Sequence, residues 1–297
     1  MSTPAGPLLD SHDGPVAGRP VAHEAGFAPG WRLVATDLDG TILPRDRPVS
    51  ARTLAAFRAC AEAGVAVIPV TGRPPRWVTP LAEEAGLSGQ VVCANGAVVY
   101  DLDTRAVVRQ HTIPEDVVRE VTRRLRPLLP GIGFGLEAVV GFRREPQYET
   151  RFDTGLEQRV ADMEELLAED LPVVKILAKA PPVPSDEMVA IASAELGDLV
   201  TITHSNAADS LVEIMARGVT KASTLAEVAA ERGLGAEHVV AFGDMPNDLE
   251  MLRWAGLSYG MADGHADARA AAAGVAPACD QDGVAQVLER LLSLRGR

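Results

Sequence analysis

Two aspartates, Asp37 and Asp39, lie two positions apart behind a short apolar run, and Gly40 and Thr41 follow them. In an extended segment residues i and i+2 point to the same face, so the two carboxylates start on one side of the chain. Like charges placed together repel unless a cation or a shared proton relieves them. The same residues could instead form an ordinary turn, because aspartate and glycine are common there. Polar residues elsewhere in the chain decide between these interpretations.

Three further polar motifs stand where an apolar run ends or a helix begins. Thr71 directly follows an apolar run and offers a hydroxyl, although a threonine there could simply cap the next helix. Asp244 and Asp248 flank a Pro-Asn turn, and such oxygen ligands suit a hard cation such as Mg²⁺. Lys221 lies at a helix start, where a lysine alone means little. Near the acidic residues it could neutralise a carboxylate or bind a phosphate oxygen.

The segments around these motifs alternate between strand and helix. The predicted strands of this part are 33–35, 65–70, 90–93 and 239–242. The predicted helices are the segment between Ser50 and Gly64 and the ranges of about 75–86, 221–232, 247–255, 266–273 and 282–294. This alternation is typical of an α/β fold with a doubly wound, mostly parallel sheet. Because ligands gather at the carboxyl ends of the strands of such a sheet, the four motifs should meet there.

The middle of the chain has a different pattern and predicts an inserted α+β domain. Its short strand-like pieces are 97–100, 107–110, 139–142, 173–178 and 200–204, and its helices are 114–128 and 185–196. Residues 131–135 are predicted to form a loop or a weak strand. The resulting organisation is a flexible tail (1–30), the first part of the core domain (31–97), the inserted domain (98–214) and the second part of the core domain (215–297).

Composition limits the partners and the location. The net charge of −13 argues against nucleic acid or an anionic membrane, since no strong basic run offsets it. No run of about 18 apolar residues is present to span a membrane. Cys60, Cys93 and Cys279 have no metal-ligand spacing and are expected to be buried structural thiols. This cysteine usage suits a reducing cytoplasm, so we predict a cytoplasmic protein. A small phosphorylated substrate stays possible despite the net charge, and we expect a monomer or a homodimer.

Taken in this order, the motifs resemble those of the haloacid dehalogenase (HAD) superfamily of phosphohydrolases. The resemblance is strongest to the Cof-like branch, which has a type IIB cap inserted between its second and third motifs. The matching motifs are Asp37-x-Asp39-Gly-Thr, Thr71-Gly-Arg, Asn95-Gly-Ala, Lys221 and Gly243-Asp244-x-x-Asn247-Asp248. The resemblance covers residues of about 31–290 and implies a HAD Rossmann-like core with an α+β cap domain.

The resemblance implies a Mg²⁺-dependent phosphatase that works through an aspartyl-phosphate. Asp37 would attack phosphorus, and Asp39 would protonate the leaving group and then activate water. The Asp37 carboxylate, the Asp39 backbone carbonyl and Asp244 would bind Mg²⁺, with Asp248 supporting the metal directly or through water. The substrate would be a small phosphorylated metabolite such as a sugar phosphate, with pyridoxal phosphate and flavin-precursor phosphates as other candidates.

The same resemblance implies how the phosphoryl group is held. Thr71 and Lys221 would bind its oxygens, helped by the backbone amides of Leu38 and Gly72. Further contacts are expected from the side chains next to these motifs, namely Arg73, Asn95 and Asn247. The cations of the cap are expected at the solvated surface rather than at the substrate, and they are Arg143, Arg144, Lys175 and Lys179.

One departure from the family pattern and two alternatives remain. Asp263 stands where the family usually has asparagine, and we assign it no catalytic role. A phosphomutase would share the nucleophile but return the phosphoryl group to its product, so release of inorganic phosphate separates it from a phosphatase. A catalytically silent phosphoryl-binding regulatory module would have no chemical need for the complete set of motif residues.

Overall fold

The computed structural model describes residues 24–27, 30–139, 141–150, 158–168 and 172–295. Its strands are β1 (Leu33–Thr36), β2 (Ala66–Pro69), β3 (Gln90–Cys93), β4 (Val98–Asp101), β5 (Ala106–Gln110), β6 (Gly133–Ala138), β7 (Gly141–Arg144), β8 (Arg159–Val160), β9 (Lys175–Lys179), β10 (Val200–Thr203), β11 (Leu211–Ala216), β12 (Val239–Gly243), β13 (Leu257–Met261) and β14 (Gly274–Ala276).

The helices of the described residues complete the inventory. They are α1 (Glu24–Phe27), α2 (Ala51–Glu62), α3 (Pro75–Ala85), α4 (Glu115–Leu125), α5 (Met163–Leu167), α6 (Ser185–Leu196), α7 (Lys221–Ala230), α8 (Leu249–Trp254), α9 (Ala266–Ala271) and α10 (Gly283–Arg295). Ser50 caps α2 as predicted, because its side chain accepts a hydrogen bond from the Thr53 N–H. Within the part of the chain that is described, no helix is both long and apolar enough to cross a membrane.

The core sheet is parallel and has the strand order β14-β13-β12-β1-β2. Side chains of β1 alternate between two apolar clusters, with Val34 in the one that contains residues of α2 and α10, and Leu33 and Ala35 in the one that contains residues of α7 and α8. Both faces of the sheet are therefore covered, which explains the near-continuous apolar sequence of its strands. The predicted doubly wound α/β core is confirmed.

A second sheet of six strands forms the cap, in the order β10-β11-β9-β6-β7-β8. Its pairs are antiparallel except for β7 with β8, and helices α4, α5 and α6 bury one of its faces. The hairpin of β4 and β5 pairs instead with β3, which a parallel bridge between Val70 and Val92 joins to the end of β2. The boundaries at residues 98 and 214 stay predictions.

The prediction of a loop or weak strand over 131–135 was right only in part. Residues 133–138 form β6, every residue of which is buried inside the cap sheet. Its glycines mark close packing: a Cβ on Gly133 would lie 2.3 Å from the Tyr148 nitrogen, and one on Gly135 would lie 2.6 Å from the Phe142 ring. The predicted strand at 139–142 is β7, which begins only at Gly141.

Four strands were missed, namely β8, β11, β13 and β14, and one prediction cannot be compared. Strands β13 and β14 extend the core sheet but have only five and three residues, with glycine among them. Cys60, Cys93 and Cys279 are buried free thiols, as expected. The predicted tail falls almost entirely on residues that lie outside the described ones; within it, residues 24–27 form α1.

Candidate active site

Asp37 lies directly after β1, at the carboxyl end of the core sheet. Its backbone N–H donates to the Phe242 carbonyl of the neighbouring β12 at 3.0 Å, which continues the strand pairing up to the aspartate. Only 5% of the residue is exposed. The pairing of β1 with β12 fixes the side chain beside Asp244, the residue that follows β12.

Lys221 forms ion pairs with two of the predicted carboxylates. Its Nζ lies 2.6 Å from Asp37 Oδ1 and 2.7 Å from Asp248 Oδ1, and the residue is 1% exposed. Thr220 caps α7 just before it, so the helix start sets the direction of the lysine. Burial alone would lower the pKa of Lys221, but the charges of Asp248 and Asp37 outweigh it and raise that pKa.

Asp37, Asp244 and Asp248 form a cluster, which we call the acidic trio. One carboxylate oxygen from each lies within 4.8 Å of the others. Thr41 Oγ1 donates to Asp244 Oδ1 at 3.0 Å. Gly40 has a φ of +76°, and a Cβ there would lie 2.3 Å from Asp244 Oδ2, so the turn after Asp39 needs glycine to bring Asp244 this close.

The other oxygen of Asp248 is occupied by the backbone. Asp248 Oδ2 accepts hydrogen bonds from the N–H groups of Asp244 and Met245, both at 3.0 Å. Because its Oδ1 holds Lys221, Asp248 fixes both the lysine and the turn that carries Asp244. This arrangement favours a supporting role for Asp248 over direct ligation.

The acidic trio carries more negative charge than Lys221 can offset. Burial raises the pKa of Asp37 to about 7, with Asp248 and Asp39 adding to the rise and Lys221 opposing it. Burial and the charges of Asp37 and Asp248 also raise the pKa of Asp244 far above its usual range. Three buried carboxylates around one ammonium therefore fit a hard divalent cation, which would remove this repulsion.

We expect Mg²⁺ to stabilise the protein more at about pH 8 than at about pH 6. The pKa of Asp37 is higher in the folded state than in the unfolded chain, so folding favours the protonated carboxyl. The folded state therefore loses stability as the pH rises towards that pKa and the carboxyl ionises. A cation binds the ionised carboxylates and relieves this cost, and protons compete with it at low pH. Thermal unfolding with and without Mg²⁺ at both pH values measures the effect. An equal shift at both would contradict it.

Asp39 is not a member of the acidic trio, since its carboxylate turns towards Arg73. Arg73 Nε and an Arg73 terminal nitrogen lie 2.7 and 2.5 Å from the two oxygens of Asp39, and more than half of the Asp39 side chain is exposed. The predicted metal contact of Asp39 through its backbone carbonyl stays a prediction.

Thr71 lies in the short segment after β2, next to Asn95. It is 1% exposed, and its Oγ1 accepts a hydrogen bond from the Arg73 N–H at 3.1 Å. Among the described residues, the N–H groups of Leu38 and Gly72 donate to no other group of the protein. These two amides are therefore left to bind another group, and the contact of Thr71, Leu38 and Gly72 with a phosphoryl group stays a prediction.

Asn95 and Asn247 contact each other although they lie far apart in sequence. Asn247 Nδ2 donates to Asn95 Oδ1 at 3.0 Å, and Asn95 Nδ2 donates to Glu213 Oε2 at 2.9 Å. Asn95 has a φ of +56°, a conformation that asparagine tolerates better than most residues. The two amides join the segment after β3 to the one after β12.

A family model describing the haloacid dehalogenase-like hydrolases matches residues 34–288, a range that contains every motif residue discussed above. The chain belongs to this family. Its membership confirms the predicted enzyme class at the level of a HAD hydrolase.

Several curated relatives of this HAD hydrolase carry phosphatase names. It is 29% identical over 269 residues to the 5-amino-6-(5-phospho-D-ribitylamino)uracil phosphatase YitU of Bacillus subtilis, which covers 88% of this chain and 98% of the relative. It is 25% identical over 259 residues to YcsE of the same organism, which has the same phosphatase name, with 86% and 94% covered.

Solved structures confirm the fold of the hydrolase. The HAD subclass IIB sugar phosphatase BT4131 superimposes with a TM-score of 0.74 at 20% identity, covering 87% of this chain and 98% of the other. A haloacid dehalogenase-like hydrolase from B. subtilis gives 0.76 at 22% identity, with 88% and 99% covered. The predicted combination of a Rossmann-like core and a type IIB cap is confirmed.

The hydrolase also contains site residues that sequence analysis missed. Thr41, which holds Asp244, belongs to the first motif and could have been found there. Glu213 lies inside the apolar strand β11, and a charged residue in an apolar run was the available signal. Lys175 was expected at the surface, but it is 4% exposed and pairs with Glu213, so that expectation was wrong. Asp263 accepts a hydrogen bond from the Cys279 N–H, which an asparagine oxygen could also do.

Proposed function

We propose that the protein is a Mg²⁺-dependent phosphatase that hydrolyses a small phosphomonoester through an aspartyl-phosphate on Asp37. The observation that carries the proposal is the buried Asp37 carboxylate, held by Lys221 at the end of β1 and next to Asp244. A carboxylate fixed in this way can attack phosphorus only if positive charge offsets that of the phosphoryl group. The acidic trio offers carboxylate ligands for a cation that would supply this positive charge.

The Asp37 oxygen forms a bond to phosphorus while the bond from phosphorus to the alkoxide oxygen breaks. Water then attacks phosphorus and releases inorganic phosphate, which regenerates the carboxylate. A divalent cation held by Asp37, Asp244 and the Asp39 backbone carbonyl would offset charge between nucleophile and phosphoryl group. Lys221 favours the ionised form of Asp37 and aligns it, and the Thr71 hydroxyl and the amides of Leu38 and Gly72 stabilise the phosphoryl oxygens.

Asp39 moves the proton in this proposal. It gives a proton to the leaving alkoxide and then takes one from the attacking water. In the structure both of its oxygens hold Arg73, so Arg73 must withdraw for Asp39 to reach the leaving group. A bound phosphate is a natural second partner for the guanidinium, because arginine binds carboxylate and phosphate in the same two-pronged way.

Asp39→Asn should lower kcat at least about a hundredfold with an alkyl phosphate, whose leaving group needs protonation, and less with p-nitrophenyl phosphate. The side chain of Asp39 is mostly exposed, so the thermal midpoint should change little. Steady-state kinetics on both substrates measures the difference. Unchanged turnover of the alkyl phosphate would contradict the role of Asp39 as an acid.

The relatives and a nearby cavity suggest where to look for the substrate. A cavity of about 540 Å³ lies between cap and core. Lys221 and Asn247 line it while Asp37 and Thr71 do not, so it adjoins the proposed nucleophile without containing it, and its cap side includes Thr201 and Thr203. Hydroxyls at this position suit a polyhydroxylated leaving group. The names of YitU and YcsE make a ribityl phosphate one candidate within this class, beside sugar phosphates.

A panel of phosphorylated metabolites with Mg²⁺, assayed by release of inorganic phosphate, tests the function. We expect several-fold selectivity for one polyol or sugar phosphate, loss of activity with EDTA and recovery with added Mg²⁺. The panel includes the 5-amino-6-(5-phospho-D-ribitylamino)uracil named for the relatives. Activity that survives complete chelation would contradict the metal role. Transfer of the phosphoryl group to an isomer of the substrate, and only with a bisphosphate activator, would indicate a phosphomutase. The absence of any turnover would indicate a silent binding module.

A further inference from the structure

Three charged residues of the cap sheet are buried against the core. Glu137 on β6, Lys175 on β9 and Glu213 on β11 belong to three neighbouring strands and are each 3–4% exposed. Buried charges are costly unless they are paired and hydrogen-bonded. Their partners therefore show what these charges are for.

The partners include the segments that carry the second motif and Asn95. Lys175 Nζ lies 2.6 Å from Glu213 Oε2 and donates to the Gly72 carbonyl at 2.7 Å. Glu213 accepts from Asn95 Nδ2 at 2.9 Å and from Ser205 Oγ at 2.5 Å. The pair thus reaches from the cap sheet to two segments of the core at once.

The contact with Gly72 has a specific effect on Thr71. The Gly72 carbonyl and the Arg73 N–H belong to one planar peptide unit. Lys175 holds the carbonyl side of this unit, and the Arg73 N–H donates to Thr71 Oγ1 at 3.1 Å. Because Thr71 Oγ1 accepts there, its own O–H is left to donate towards the phosphoryl position.

The contact with Asn95 acts on the other side of the site. Glu213 holds Asn95 Nδ2, which leaves Asn95 Oδ1 to accept from Asn247 Nδ2 at 3.0 Å. Asn247 lies in the turn between Asp244 and Asp248. The cap charges thus contact the second motif at Gly72 and, by way of Asn95, reach the turn that carries Asp244 and Asn247.

We propose that Lys175 and Glu213 are positioning residues, through which the cap sheet holds Thr71 and Asn95 in the geometry for phosphoryl transfer. The inference rests on the proposed phosphatase function. The pair acts through the second motif and Asn95, without touching the leaving group. Its effect should therefore fall on the phosphoryl group and be the same for every substrate.

The test compares Lys175→Met/Glu213→Met with Lys179→Met. Removing both charges avoids leaving one buried charge unpaired, so the double variant should fold with a thermal midpoint near that of the wild type. Lys179 lies on the same strand, and its Nζ donates only to the Glu149 carbonyl among the described residues, which makes it the matched control. Lys175→Arg keeps a hydrogen-bond donor and a positive charge at this position, so it should lose less activity than the double variant.

We expect the double variant to lose about tenfold to a hundredfold in kcat, equally on p-nitrophenyl phosphate and on the much smaller acetyl phosphate. Inhibition by orthovanadate, which mimics the transferring phosphoryl group, should weaken in parallel, while Lys179→Met stays within about twofold of the wild type. A folded double variant with wild-type kcat, or a loss confined to KM of the larger substrate, overturns the inference. If the wild type hydrolyses neither substrate, the proposed function fails, and thermal stabilisation by orthovanadate still compares the variants.

Discussion

Asp37→Asn abolishes turnover, with kcat lowered by about four orders of magnitude or more, as for other essential nucleophiles. An amide cannot form the bond to phosphorus that the carboxylate forms, and it is a poorer ligand for a hard cation. Phosphate release measured with high enzyme concentration sets the limit. Radiolabelled or mass-spectrometric detection of a phosphorylated enzyme on acid quenching should be positive for the wild type and negative for the variant.

The same variant should fold at least as stably as the wild type. The raised pKa of Asp37 means that its ionised form destabilises the folded state above the ordinary aspartate pKa. Asparagine removes this charge at about pH 8, and Lys221 retains Asp248 as a partner. A thermal midpoint without Mg²⁺ that matches or exceeds that of the wild type is the expected result. Substantial phosphatase activity in a pure, folded Asp37→Asn sample would falsify the covalent mechanism.

Lys221→Met should lower both activity and stability. Removing the ammonium leaves Asp37 and Asp248 without their shared cation, and loss of one partner of a buried ion pair typically costs about 3–5 kcal/mol. We expect kcat/KM to fall by about a thousandfold or more, since the phosphoryl position also loses a positive charge. Chemical denaturation measures the stability, and kinetics on a folded sample measures the activity.

Two comparisons separate these effects from a general loss of charge. Lys179→Met removes a lysine charge that no described carboxylate pairs with, and it should leave both quantities close to wild type. Because the remaining carboxylates repel, Mg²⁺ should recover part of the lost stability of Lys221→Met but little of its activity. A variant as stable as the wild type in the absence of Mg²⁺ would contradict the role of Lys221 in neutralising the acidic trio.

The sequence was sufficient to predict the residues that stand next to a strand end. Asp37, Thr71 and Asp244 each follow an apolar run, and a parallel sheet brings such positions together at one edge whatever the loops do. Lys221 could be added because the resemblance to a family supplied its place. Local sequence and one rule of topology therefore define most of the candidate site.

Contacts between distant segments could not be predicted in this way. The burial of Lys175 depends on Glu213 and on a backbone carbonyl, and a carbonyl leaves no trace in a residue pattern. The pairing of Arg73 with Asp39 depends on the path of two loops. The length and burial of strand β6 were underestimated because glycine usually indicates a loop, whereas here its missing side chain admits Tyr148 and Phe142.

The cap and the core meet near the site through charged groups, and this affects how the two can part. Arg76 donates to both carboxylate oxygens of Glu137, and Lys175 donates to the Gly72 carbonyl. Each contact therefore joins a core segment to the cap sheet. When such contacts separate, the buried charges become exposed to water, whose hydration offsets part of the lost attraction, whereas an exposed apolar surface gains no such compensation. Dissolved ions screen the attraction once solvent enters. We expect the cap and the core to separate when the product leaves, and product release should then quicken as ionic strength rises, which makes salt a probe of this separation.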